Sequence, residues 1–217
     1  MFERLVRLAA QLLYSSFAWS YDAVAWLVSI GQWSAWTETG LEALPAGLAL
    51  EIGHGPGHML EHRLRTGQPT VGLDVSRQMS RIARRRLQRA GLGLSLVRAR
   101  TQRLPFAAGW FDGVLSTFPS DYILDPQTLA EVGRVLKAGG TFVVIPMARV
   151  SGLSLLDRAA AWFAHRTGED RLPPPSLVQA FAPHGMSVES EWVQLPRGQV
   201  LRLIGRRQGS SPSKEAA

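Results

Sequence analysis

Ala49-Leu50-Glu51-Ile52-Gly53-His54-Gly55-Pro56-Gly57 is the stretch that decides the fold of this 217-residue chain. An apolar run carrying one acid ends in three glycines at alternate positions. Leu48 to Ile52 reads as a buried strand. The glycines let the backbone turn sharply and approach a ligand closely, because no Cβ stands in the way. His58 to Leu64 has helical spacing, so the loop feeds a helix N-terminus. Strand, glycine loop and helix in that order form an arrangement that holds a nucleotide-like cofactor.

The spacing separates two readings. A dinucleotide fingerprint, G-x-G-x-x-G, needs its third glycine at position 58, where this chain has His58. An acid beside the loop, here Glu51, suits a cationic ligand. Thr70 to Leu73 is a second apolar run and ends at Asp74. A carboxylate at such a strand tip accepts both hydroxyls of a ribose. The other reading of Asp74 is a helix cap, a role that Ser76 also fits.

Further motifs follow in order: Val75-Ser76-Arg77-Gln78-Met79, then Leu104-Pro105-Phe106, then Trp110 to Ser116. Last comes Glu131 to Gly140, leading into Thr141 to Ile145. With the glycine loop they cover about residues 45 to 146 and resemble the class I S-adenosylmethionine methyltransferases. The resemblance implies an α/β fold with a Rossmann-like, seven-stranded sheet. That sheet is mostly parallel with the last strand antiparallel, and carries helices on both faces. S-adenosylmethionine is the implied cofactor, bound by Glu51, Gly53, His54, Gly55, Gly57, Asp74 and Val75. Met79 is expected near the adenine and Thr117 on the same rim. Arg100 stands where the family carries an aspartate for the adenine amino group. A guanidinium has no acceptor to offer, so the adenine contacts are placed at Thr101 and Gln102.

Composition narrows the class. Hydrophobic residues make up 46% and charged residues 19%, as in a soluble globular domain. The chain has no cysteine, which excludes disulfides, thiolate chemistry and zinc–thiolate sites and fits a cytoplasmic setting. The net charge of +7 points to anionic partners. Arg81, Arg85 and Arg89 fall four apart on one helix face. They read as a solvated face, and the absence of interleaved aromatics speaks against nucleic acid. His54, His58 and His62 are also four apart, but no carboxylate cluster completes a metal site, so no metal is expected.

The chain reads as one domain over 1–207. Residues 1–44 form a helical, aromatic-rich lid with Trp19, Trp26, Trp33 and Trp36. Residues 45–146 form the cofactor-binding core, with strands near 47–52, 70–74, 94–98, 111–117 and 140–146. Residues 147–175 form an insert ending in three prolines, and 176–207 supply a helix and a strand pair. Residues 208–217 read as a disordered tail. The basic N-terminus is interrupted by polar residues, and no run reaches the roughly 20 apolar residues of a spanning helix.

The acceptor side is expected after the fourth strand, at Phe118, Pro119, Asp121 and Tyr122, with Tyr14 from the lid. Asp121 and Tyr21 are the catalytic candidates. Asp121 would orient or deprotonate an acceptor, and the Tyr21 ring would meet the sulfonium by cation–π attraction. Tyr21-Asp22 with Ser29, Gly31 and Trp36 resembles the entry segment of ubiquinone/menaquinone C-methyltransferases. Phospholipid N-methyltransferases begin with a similar Tyr-Asp element. Ala25 replaces the quinone family's asparagine. The resemblance implies a small acceptor, quinone-like or phospholipid-like; the aromatic lid helices and the basic charge suggest that it is lipophilic and met at a membrane surface. An NAD(P)-dependent oxidoreductase is the rival reading, opposed by His58 and by the motif series. A non-catalytic S-adenosylmethionine-binding partner protein is the second rival, favoured by Arg100 alone.

Overall fold

The computed structural model describes residues 31–150 and 178–209. Within them a seven-stranded sheet has the order β3-β2-β1-β4-β5-β7-β6. Helix α1 (Trp33–Glu42) leads into β1 (Ala49–Ile52), then α2 (His58–Arg65) and β2 (Thr70–Leu73). Next come α3 (Arg77–Arg89), β3 (Leu96–Val97), β4 (Phe111–Thr117), α4 (Pro126–Val135) and β5 (Leu136–Val150). The last described elements form a hairpin of β6 (Met186–Leu195) and β7 (Gly198–Arg207). β7 runs antiparallel to both β5 and β6; the remaining pairs are parallel.

The helices start where side chains satisfy free backbone amides. Ser76 Oγ accepts the Met79 N–H at 3.3 Å and caps α3. Asp125 accepts the Gln127 N–H at 2.9 Å and caps α4, with Pro126 at the first helical position. The central strands are apolar on both sides because both sides are covered. Leu50, Ile52, Val114, Phe142 and Val144 pack with Leu129, Val132 and Val135 of α4. Ala49, Leu115 and Val143 pack with Leu44 and Met59 on the other face.

The later motifs tie the sheet together. Asp112 accepts the Leu48 N–H at 2.9 Å and the Lys137 ammonium at 2.7 Å, linking β1, β4 and β5. Arg134 donates to the Phe106 and Leu104 carbonyls at 2.8 and 3.0 Å, and Glu131 accepts the Leu104 N–H at 2.7 Å. The Leu104-Pro105-Phe106 stretch is thereby fixed to α4.

Two strands differ from expectation. β3 is only two residues long where 94–98 was expected. β5 continues to Val150 instead of stopping at Pro146. Its ladder with β7 shifts register between Val144 and Met147, which absorbs the proline in a bulge. The chain leaves β1 toward β2 and β3, then crosses back to β4. The switch point therefore lies between the C-terminal ends of β1 and β4.

Phe142 is fully buried and its ring lies 5.7 Å from that of Phe181. Phe142→Ala is expected to cost about 3–5 kcal/mol in urea-unfolding stability. A loss under about 1 kcal/mol would mean that this layer is not packed as described.

Candidate functional site

The loop 53–57 at the switch point has three glycines with positive φ: Gly53 at 72°, Gly55 at 52° and Gly57 at 82°. Two of them also lack room for a side chain. A Cβ on Gly53 would meet the Tyr122 hydroxyl, and one on Gly57 would lie 2.9 Å from Ala83 of α3. Asp74 holds the loop in place. Its Oδ2 accepts the Gly55 N–H at 2.9 Å and its Oδ1 accepts the Ser76 N–H at 2.7 Å. Each carboxylate oxygen keeps a further lone pair for a ligand hydroxyl.

Glu51 lies buried in β1 and its carboxyl accepts the Leu60 N–H in the first turn of α2. Burial, and then the negative charge of Asp74, push its pKa up to about 8. The Leu60 bond and the buried Arg63 guanidinium pull the other way without winning. Oε2 has no hydrogen-bond partner among the described residues.

His54 fills the space beside Glu51. Gly72 is in register with Glu51, and a Cβ there would lie 3.0 Å from His54 Cδ2. Nδ1 donates to the Gly55 carbonyl at 2.8 Å, which leaves Nε2 an acceptor with no partner among the described residues. Burial lowers the His54 pKa, so the ring is neutral. Both residues line a cavity of about 30 Å³ together with Trp33, Gly53, His58 and Thr117. His54 Nε2, and Glu51 Oε2 once that carboxyl gives up its proton, suit a donor-rich cation such as an ammonium group.

The segment after β4 carries an aromatic cluster. Phe118 has φ at 46°, costly for a side chain this large, and its N–H donates to the Ile145 carbonyl at 2.7 Å. Its ring lies 4.4 Å from that of Trp33 and 6.1 Å from that of Trp36. Pro119 follows, half-buried, and Asp121 opens an exposed 3-10 turn. Tyr122, expected as a wall for an acceptor, is half-buried and turns its hydroxyl back to β1 and β4. Its hydroxyl meets Ser116 Oγ at 3.1 Å and the Ile52 carbonyl at 3.4 Å, so it braces the strand that enters the loop. Tyr14 and Tyr21 lie outside the described residues.

Three residues expected at the adenine are engaged within the protein. Met79 is fully buried in the α3 stripe with Ala83 and Leu87, because positions four apart face the sheet. Val75, 65% exposed, is the apolar side chain left at this rim. Thr101 Oγ1 meets Thr128 Oγ1 at 3.0 Å, and Gln102 donates to Asp125 at 2.9 Å. Those bonds knit the loop after β3 to the start of α4.

The sequence reading missed two arginines. Arg63 turns inward to Thr70 Oγ1 at 2.9 Å and lies near Glu51. Its signal was its place on the same helix face as Met59 and Leu60. Arg86 donates to the Pro56 carbonyl at 3.0 Å and meets His58 Nε2 at 3.2 Å, which braces the glycine loop from α3. Nothing in a run of arginines marks which one turns in. His54 and His58 thus have separate partners, and the described residues contain no group of three metal-ligating side chains.

A family model described as a methyltransferase domain matches residues 50–144. A demethylmenaquinone methyltransferase of Symbiobacterium thermophilum is 25% identical over 91% of this chain and 92% of its own length. One from Thermobifida fusca is 30% identical over 69% of this chain, which spans only 65% of that relative. The domain match and these relatives support an enzyme of the class I S-adenosylmethionine-dependent methyltransferase type. S-adenosylmethionine is the cofactor of this methyltransferase. A Thermotoga maritima structure, described as a SAM-dependent methyltransferase and possible histamine N-methyltransferase, shares the fold. Its TM-score is 0.62 at 20% identity, over 91% of this chain and 99% of that one. The chemistry of the site fits the cofactor: Glu51 Oε2, once ionised, and His54 Nε2 could accept from an ammonium group, and the Asp74 carboxylate at the next strand tip could accept from hydroxyls.

Glu51 gives the protein a pH signature. Its folded pKa lies above its unfolded value, so the stability it contributes is complete at low pH and is lost as pH rises through about 8. The ligand-free protein is expected to lose about 1 kcal/mol between pH 7 and pH 8 from this group. In Glu51→Gln that part of the slope should vanish. Equal slopes in denaturant titrations of both proteins would refute the raised pKa.

Proposed function

We propose that this methyltransferase methylates a small, flat, lipophilic acceptor of the quinone class. The observation that carries the reading is the Trp33–Phe118–Trp36 cluster at the end of β4, one strand from the glycine loop. Clustered, mutually tilted aromatics of this kind suit a planar ring. The demethylmenaquinone methyltransferases among the relatives support the same class.

In this reading Glu51 and His54 accept from the cofactor's ammonium group and Asp74 accepts from its ribose hydroxyls. Val75, exposed at this rim, would pack against the base. The bound cofactor supplies a methyl group already activated on a sulfonium. The chain's task is to align the acceptor for in-line displacement and to exclude water. Phe118 and Trp33 wall the ring. A ring carbon becomes nucleophilic when the neighbouring hydroxyl loses its proton. Asp121, exposed three residues after Phe118, is the described carboxylate proposed to take it.

Label from methyl-labelled S-adenosylmethionine should appear on the ring of a demethylated quinone and not on phosphatidylethanolamine. Label on the amine, or on neither, would overturn the acceptor class. Asp74→Ala is expected to weaken cofactor binding by about 1–3 kcal/mol in calorimetry, the range for a lost charged acceptor. Unchanged affinity would remove the ribose role.

A further inference from the structure

Arg77, Arg81, Arg85 and Arg89 recur every four residues along α3, and all four are exposed, as is Arg84. The helix contains no acid. Like charges four apart repel along a helix, and Arg77 sits in the first turn, where the helix dipole disfavours a cation. Helix formation by itself therefore works against this pattern. No described residue gives any of these five guanidinium groups an ion pair or hydrogen bond. Arg86 of the same helix is the contrast, since it turns in to the glycine loop.

The stripe borders a groove. Between α2 and α3 lies a hollow of about 370 Å³, lined by Arg65, Arg85, Arg86 and Arg89 over Ile82 and Ala90. Glu61 is its single acid and is already engaged by Arg65 at 2.8 Å and by Arg86 at 3.4 Å. The groove thus keeps a net positive charge. Val75, exposed beside Asp74, stands two residues before the start of the stripe.

We propose that the arginine face of α3 docks this methyltransferase on an anionic phospholipid surface, with lipid phosphates seated among Arg65, Arg85 and Arg89. The choice of lipid rests on the proposed lipophilic acceptor, which such a surface would hold next to the crevice. Several arginines on one amphipathic helix suit anionic headgroups. Nucleic acid phosphates would meet the same charges, but α3 offers no aromatic on which a base could stack.

The test is sedimentation of the full chain with phosphatidylcholine vesicles, with and without phosphatidylglycerol, at low and high salt. Binding is expected only to the anionic vesicles and should fall at high salt. The triple variant Arg81→Gln/Arg85→Gln/Arg89→Gln should partition about a hundredfold more weakly. Its affinity for S-adenosylmethionine in calorimetry should be unchanged, since none of the three touches the loop. The three single variants should each show a smaller loss, which keeps the result readable if the triple variant misfolds. Wild type that ignores anionic vesicles would overturn the proposal. So would variants that bind like wild type, or tighter binding to a duplex oligonucleotide than to vesicles at equal salt. The vesicles carry no acceptor and the readout is binding, so a failed quinone assignment would leave this result intact.

Discussion

A carboxyl group buried in the middle of a parallel sheet is the constraint around which this protein is arranged. Glu51 sits on a central strand, against the first turn of α2, and the protein meets only part of what its charge requires. One backbone amide and a nearby guanidinium favour the anion, while burial and Asp74 oppose it more strongly. Charge buried without full compensation is costly. A strand interior keeps such a group when a ligand completes it, and the unpartnered Oε2 and His54 Nε2 leave two places for donors.

The neighbouring structure serves that pocket. The glycine loop must bend through three positive φ angles to clear Tyr122 and Ala83. Asp74 ties the loop to β2, Arg86 ties it to α3, and Tyr122 with Ser116 holds the strand that enters it. Gly72 leaves room for the His54 ring. The pocket is thus preformed on rigid elements. The segment after β4 is different in kind, since Phe118 takes a strained backbone conformation, with its N–H on the Ile145 carbonyl and its ring against Trp33.

Much of this was legible in the sequence. Glycines that need positive φ, an acid ending an apolar strand and an ordered motif series gave the fold and the cofactor. The same patterns singled out Glu51, His54 and Asp74, which the structure brings together beside the glycine loop. What escaped was the direction of side chains that sequence type does not encode. Met79 was expected near the base, but the four-residue spacing with Ala83 and Leu87 places it inside. Tyr122 and Thr101 carry polar groups that fit a ligand equally well. The fold spends both on its own backbone and side chains. Pro146 reads as a strand end, and the register shift that accommodates it depends on a partner strand some 55 residues later. Arg86 is indistinguishable in sequence from the arginines around it.

The most direct measurement is calorimetry of S-adenosylmethionine binding at pH 7 in buffers of different ionisation enthalpy. A Glu51 that is protonated when free and ionised against an ammonium should release about nine-tenths of a proton per cofactor bound, by linkage from its raised pKa. Glu51→Gln should abolish that release. Binding without any proton released, or equal release from the variant, would contradict a cofactor ammonium held at Glu51.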